Sequence, residues 1–254
     1  MTSLSSPSSW WPWPRRVAHR LGGTLAPENT LGAMALAARI GVKAMETDVM
    51  LTRDGVAVIS HDPVLGRAVA SEAAVADLTL KEIRELDAGR LYSPAWQGEK
   101  VPTLAEVIDF AQAHGLFLNL EIKPSSEALA DATAREACRL VREKYAGRRD
   151  TPLVSSFSRA ALAAAQAAAP EIPRGLLLEG DVPDWEDAAR RLAVATVHPD
   201  ATATADFISC AHARGWGVMC WTIDDIETAQ TLLAAGADAL CTNRPDQLGS
   251  LAAA

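Results

Sequence analysis

Residues 103–123 read TLAEVIDFAQAHGLFLNLEIK, and the rest of the chain follows the rhythm of this stretch. Its first part, 103–114, has helical composition and stops at Gly115, a residue that ends helices because it accepts the left-handed conformation. The run 116–122 is short and apolar, as expected of a strand buried on both faces. It ends in charge: Glu121 and Lys123 stand two residues apart, so a strand projects both to the same side.

Outward from this unit the same alternation continues to both ends. Strands are expected at 16–19, 43–51, 116–122, 152–157, 175–178, 194–198, 217–222 and 238–242. Helices are expected at 27–40, 103–114, 126–145, 159–169, 185–192, 203–214, 224–235 and 244–251. The first opens with Pro27, a residue well suited to a first helical turn. Eight strand–helix pairs predict an α/β fold closed as a (β/α)8 TIM barrel. An open doubly wound sheet is the runner-up, but no G-x-G-x-x-G turn supports it. One stretch breaks the rhythm. At 52–102 an Asp54-Gly55 turn leads into an extra strand, 56–60, and then to a helix near 80–86. The expected organisation is a tail at 1–13 and one catalytic domain at 14–251, with 52–102 as a small insertion after the second strand.

Composition narrows the function classes. The chain has 254 residues, a net charge of -8 and 49% hydrophobic residues, enough for a large core. No basic run offers the phosphate-neutralising surface that nucleic acid needs. Cys138, Cys210, Cys220 and Cys241 show no C-x-x-C spacing and read as thiols of a reducing compartment. The amino terminus lacks the basic start and apolar core of a secretory signal, and no apolar run reaches membrane-spanning length. A cytoplasmic protein without membrane anchoring, monomeric or homodimeric, is expected.

The polar residues gather at the strand ends that form the catalytic face of such a barrel. Glu46 and Asp48 share one side of the second strand, and Glu121 repeats the geometry on the third. Three carboxylates converging inside apolar strands repel one another, and a hard divalent cation, Mg2+ or Ca2+, resolves this with oxygen ligands alone. Salt bridges to Lys123, Arg20 or Lys43 would account for any one of these carboxylates, but not for three at strand ends inside apolar strands, where charges are seldom buried unless paired or metal-bound. His19 and His61 end a strand and the hairpin, and imidazoles there can serve as acid and base. His114 and His212 sit near helix C-termini and read as structural. His198 ends a strand without a partner in the sequence. Arg20 and Lys123 supply a planar fork and a point charge for an anion.

These residues carry a family resemblance. Val17-Ala18-His19-Arg20 with Ala26-Pro27-Glu28-Asn29-Thr30 resembles the opening of glycerophosphodiester phosphodiesterases. Met45-Glu46-Thr47-Asp48-Val49, Thr52-Arg53-Asp54-Gly55, Ser60-His61-Asp62 and Asn119-Leu120-Glu121-Ile122-Lys123 resemble its next elements in order. Ser155-Ser156-Phe157, Trp221-Thr222-Ile223-Asp224 and Thr242-Asn243-Arg244-Pro245 resemble weaker later ones. The match runs from about 14 to 245 and is most like the bacterial cytosolic branch.

The resemblance implies metal-dependent hydrolysis of a small-molecule glycerophosphodiester to sn-glycerol 3-phosphate and an alcohol. It implies Glu46, Asp48 and Glu121 as ligands of one divalent cation, Mg2+ or Ca2+, and His19 and His61 as the acid–base pair. Arg20 and Lys123 would contact the phosphate, with Glu28, Asn29, Phe157 and Trp221 around the site. Two departures stand out. Leu21 replaces the usual Gly after His-Arg, which predicts a more crowded first loop, and Asn243 replaces a common Asp. Neither removes a catalytic group. Three rival activities use the same barrel. A Schiff-base aldolase using Lys123 would leave the carboxylates and His61 without a role. A lysophospholipase-D-like enzyme would act on a lipid diester, and a non-catalytic barrel would bind phosphodiesters without turnover.

Overall fold

Strand polarity alternates, and the alternation explains how charged residues fit inside apolar strands. In the computed structural model, which describes residues 11–248, the strands are β1 (Arg16–Ala18), β2 (Ala44–Leu51), β3 (Ala57–Ile59), β4 (Phe117–Ile122) and β5 (Leu153–Ser156), then β6 (Arg174–Leu178), β7 (Thr196–Pro199), β8 (Gly217–Cys220) and β9 (Ala239–Thr242). All but β3 are parallel neighbours, and β1 pairs with both β2 and β9, so the sheet closes on itself. On β4, Leu118, Leu120 and Ile122 pack outward in the same core as Leu104, Val107 and Ile108, while Asn119 and Glu121 line a cleft inside the barrel. On β2, Met45 and Val49 face outward and Glu46 and Asp48 inward. A period of two thus sends every second residue to the helices and every other one to the lumen.

The outer layer consists of α1 (Leu31–Arg39), α3 (Leu104–His114), α4 (Ala130–Lys144), α5 (Arg159–Ala168), α6 (Trp185–Arg191), α7 (Ala205–Ala213) and α8 (Ile226–Ala234), while α2 (Leu80–Glu85) lies between β3 and α3. The (β/α)8 barrel expected from the sequence is the fold. α3 shows why its ends are sharp. Thr103 and Glu106 form a reciprocal capping box, and Gly115 closes the helix at φ 61°.

Two helix expectations need correction. α1 starts at Leu31, with Thr30 as its cap, and not at Pro27. Asn29 holds φ 57°, which no helix interior accepts, and its N–H donates to Arg20 O at 2.9 Å. Residues 27–29 serve the site and not the helix. From Arg244 to Leu248 the chain forms turns; the remainder of the predicted 244–251 helix lies outside the described residues.

At the amino end of the barrel, Trp11 is buried with Val17, Ala44, Leu153, Met219, Ala239 and Cys241, and Trp13 stacks on Phe117 with ring centroids 5.0 Å apart. The remainder of the expected 1–13 tail lies outside the described residues. Between β3 and α3 a small separate core gathers Met50, Val58, Leu65, Val69, Val75, Ile83, Ala88 and Val101. It seats the 52–102 segment against β2 through Met50.

The lumen is filled tightly. His198 is fully buried, its Nε2 is 2.8 Å from Thr196 Oγ1, and burial lowers its pKa to about 3, so the ring is neutral. A Cβ on Gly175 would stand 2.6 Å from His198 Cε1 and 2.8 Å from Thr196 Oγ1. Gly175→Ala should therefore overpack the lumen, at a cost of about 1–3 kcal/mol. Calorimetry should show a melting temperature lower by several degrees, roughly 2–4 °C per kcal/mol for a domain of this size; an unchanged value would mean that His198 repacks freely.

Candidate active site

The site begins where β1 stops. His19 opens a tight turn in which Arg20 and Leu21 take φ 50° and 70°. Both values lie in the left-handed region, which residues with side chains seldom take. Leu21 is fully buried in the main core, and that burial offsets the backbone strain. The turn aims the Arg20 N–H at Glu46 Oε2, 2.9 Å away.

Glu46, Asp48 and Glu121 are all buried, and one carboxylate oxygen from each lies within 4.8 Å of the others. Strand register explains the approach: Asp48 and Glu121 are paired across β2 and β4. The three do not share their charge equally. Burial, and then Asp48 and Glu121, raise the Glu46 carboxyl well above its ordinary value. Burial and then Asp48 push Glu121 up to about 8. Burial works the same way on Asp48, but Lys123, His61 and the Asn29 amide outweigh it and hold Asp48 below its ordinary value. Lys123 Nζ stands 3.3 Å from Asp48 and 3.7 Å from Glu121. Asn29 Nδ2 donates to Asp48 Oδ2 at 2.8 Å, and its oxygen accepts from Thr47 at 2.8 Å.

One lysine does not neutralise three carboxylates. Glu46 Oε1 is buried with no hydrogen-bond partner among the described residues. An orphaned carboxylate oxygen in an all-oxygen cluster is the donor set that a hard divalent cation takes, so the residues present fit such an ion.

The two histidines differ in what holds them. His19 Nδ1 lies 2.7 Å from Asn243 Oδ1. Asn243 is itself pinned, donating its Nδ2 to Asp224 Oδ2 at 2.9 Å and its N–H to Asp224 Oδ1 at 2.8 Å. The amide oxygen must therefore face the imidazole, Nδ1 must carry the hydrogen, and Nε2 keeps its lone pair. Nε2 lies 3.9 Å from Glu46 Oε2. Burial, then Arg20, lower the His19 pKa. His61 Nδ1 instead donates to a carboxylate, Asp62 Oδ1, at 2.7 Å. Burial also lowers the His61 pKa, while Asp48 and Asp62 oppose it.

His19, Arg20, Glu46, His61, Glu121, Lys123, Phe157 and Trp221 line one cleft of about 330 Å³. Phe157 meets the Trp221 ring edge-on at 5.3 Å, and Trp221 Nε1 donates to His198 O. Glu28 and Asn29 do not line it. They stand behind, Asn29 on Asp48 and Glu28 on Arg20 at 3.1 Å. Asn119, Leu177, Met219 and Cys241 also line the cleft, although none of them is among the site residues expected from the sequence. Asn119 was within reach, because it shares a strand face with Glu121. Asp224 and Arg67 also hold groups beside the histidines, and no spacing rule connects either to them.

A parallel barrel that presents two histidines, two cations and a carboxylate cluster in one cleft has the groups of an enzyme site for an anionic ester. Residues 19–247 match the model of the Glycerophosphoryl diester phosphodiesterase family. The chain is 32% identical to a glycerophosphodiester phosphodiesterase of Caldanaerobacter subterraneus over 92% of its own length and 96% of that protein. It superposes on an Oleispira antarctica phosphodiesterase, solved with the product sn-glycerol-3-phosphate, with TM-score 0.88 and 35% identity over 94% and 96% of the two chains. A putative glycerophosphoryl diester phosphodiesterase from Silicibacter pomeroyi gives 0.81 and 26% over 93% and 92%.

The chain belongs to the glycerophosphoryl diester phosphodiesterase family. It is a hydrolase of glycerophosphodiesters. Among the described residues, no helix is long and apolar enough to cross a membrane.

Without a cation, Glu121 holds a proton up to about pH 8 in the folded chain but only to about 4.5 when unfolded. The folded state then binds more protons across that window, and its stability falls as pH rises through it. In EDTA the melting temperature should drop between about pH 4.5 and 8, less steeply in Glu121→Gln, while far-UV circular dichroism at low temperature stays that of the barrel. Equal slopes in the two proteins would show that Glu121 is an ordinary ion-pair partner of Lys123.

Proposed function

We propose that the cleft binds the phosphodiester of a glycerophosphodiester and that His19 and His61 divide the proton transfers that release sn-glycerol 3-phosphate and an alcohol. The observation that carries the division is the unequal pair of Nδ1 partners. Asn243 is neutral and leaves His19 a neutral imidazole with a free Nε2, suited to act as base. Asp62 is an anion that favours the imidazolium, suiting His61 to act as acid.

In this scheme His19 Nε2 takes the proton of the attacking oxygen, from water or from the substrate's own glycerol hydroxyl. His61 Nε2–H gives its proton to the departing alkoxide. Arg20 and Lys123 hold the non-bridging phosphate oxygens; Arg20 Nε is buried and without a partner among the described residues, so it has a donor to offer. Phe157 and Trp221 form the apolar wall. Glu28 and Asn29 act one layer back, steadying Arg20 and Asp48. Glu46, Asp48 and Glu121 would hold one divalent cation, Mg2+ or Ca2+. When bound, such an ion neutralises phosphodiester charge and lowers the pKa of a nearby hydroxyl.

The proposal covers one catalytic unit, 14–251, with 52–102 as an insertion walling the site. A cytoplasmic location, as monomer or homodimer, belongs to the same reading; the four free cysteines, three of them buried, support it.

Phosphorus NMR on glycerophosphocholine and on a glycerophosphoryl nitrophenyl ester tests both parts. The signal of sn-glycerol 3-phosphate should grow from each substrate with the native enzyme. Because nitrophenolate leaves without a proton, His61→Ala should lose about 10^2- to 10^4-fold on the choline ester and little on the nitrophenyl ester. His19→Ala should lose heavily on both. Equal losses for both variants on both esters would remove the assignment of acid and base.

A further inference from the structure

Besides His61 and Asp62, the segment between β3 and α3 sends Arg67 towards the site. Arg67 donates its Nε to Asp62 Oδ2 at 2.8 Å and its two terminal nitrogens to Glu28 Oε2 and Oε1 at 2.5 and 2.6 Å. The other oxygen of Asp62 is the one that accepts from His61 Nδ1. Glu28 in turn receives Arg20 Nη1 on both oxygens, at 3.2 and 3.1 Å. An unbroken line of contacts therefore runs His61, Asp62, Arg67, Glu28, Arg20. Its two ends line the cleft and its centre does not.

The chemistry of that centre matters. A guanidinium carries five N–H donors in a fixed plane, so it can hold two carboxylates at once in set directions, whereas an ammonium is a point charge without preferred directions. Asp62 is part-exposed, with side-chain accessibility of 30%. Without Arg67 its carboxylate could swing towards water, and the His61 ring would lose the group that fixes its plane. Glu28 would keep Arg20 alone, with one nitrogen bridging both its oxygens and no second cation to set the carboxylate's orientation.

We propose that Arg67 is the positioning residue for both halves of the phosphodiester site. It holds Asp62 against His61 and Glu28 against Arg20, so one side chain from the insertion aligns the proton donor with the phosphate-binding guanidinium. The inference rests on the roles given above to His61 and Arg20. It adds a third party that never touches the substrate.

Displacement of a catalytic group by about 1 Å can cost roughly 100-fold. Arg67→Ala should therefore lower kcat on glycerophosphocholine by roughly 10- to 100-fold while changing kcat on the nitrophenyl ester far less, because only the former needs the proton from His61. KM should rise for both esters through Arg20. Arg67→Lys keeps a charge but not the fork, so it should restore at most one of the two effects. Adding Asp62→Asn to Arg67→Ala should leave the choline-to-nitrophenyl ratio nearly where the single variant put it.

A merely structural Arg67 would lower the melting temperature and leave both the ester ratio and KM unchanged, or lower activity on the two esters alike; either result overturns the proposal. Should Arg67→Ala not fold, Arg67→Lys carries the same comparison, and full recovery of both effects in it would overturn the bidentate role. A readout independent of turnover separates this inference from the reading beneath it. The His61 Nδ1–H resonance should exchange with solvent faster in Arg67→Ala than in the native protein. If it does, but His61→Ala shows no preference between esters, the acid assignment fails and the Arg67 bridge stands. If the resonance is unaffected, the bridge fails.

Discussion

Three carboxylates crowded into a dry barrel mouth are the constraint around which the rest of this molecule is arranged. Glu46, Asp48 and Glu121 repel one another, and burial removes the water that would screen them. Their neighbours answer that repulsion one by one. The tight turn after β1 delivers a backbone N–H to Glu46. The left-handed Asn29 delivers an amide to Asp48. Lys123 stands between Asp48 and Glu121. Even so, burial and mutual repulsion hold the Glu46 and Glu121 carboxyls above their ordinary values, and Glu46 keeps one oxygen without a partner among the described residues. A site so underneutralised is built for a further positive charge.

The same crowding accounts for the strained turn at its edge. Arg20 and Leu21 both take positive φ, unusual for residues with side chains. The turn is bound on both sides: Leu21 is sunk in the core and Arg20 O accepts from Asn29. The Leu21 side chain packs into the core and does not line the cleft. Asn243 sets the surroundings of His19. As a neutral acceptor fixed by Asp224, it makes the environment of His19 differ in charge from that of His61.

The 52–102 segment has a small core of its own, yet its functional weight rests on polar contacts at the rim. A decoration held only by apolar packing would be insensitive to the state of the site. One held by Arg67 between Asp62 and Glu28 shares its anchor points with two residues of the cleft.

Local sequence was enough for the barrel, because strand and helix periods, Gly115 and the Thr103–Glu106 box are all properties of neighbours along the chain. It was also enough to place Glu46, Asp48, Glu121, Lys123, His19, Arg20 and His61 at one mouth, since parallel strands of a closed sheet end on the same side. The start of α1 was misread because Pro27 suits a first turn, while the contact that holds Asn29 out of the helix comes from Arg20, nine residues earlier in the chain. Asp224 beside Asn243, and Arg67 between Asp62 and Glu28, were not legible. Their side chains leave irregular loops, where no period relates position to direction. Only barrel closure brings β9 next to β1, and Asn243 next to His19 across 224 residues of chain. What His19 touches, and so what it can do with a proton, was decided by that closure.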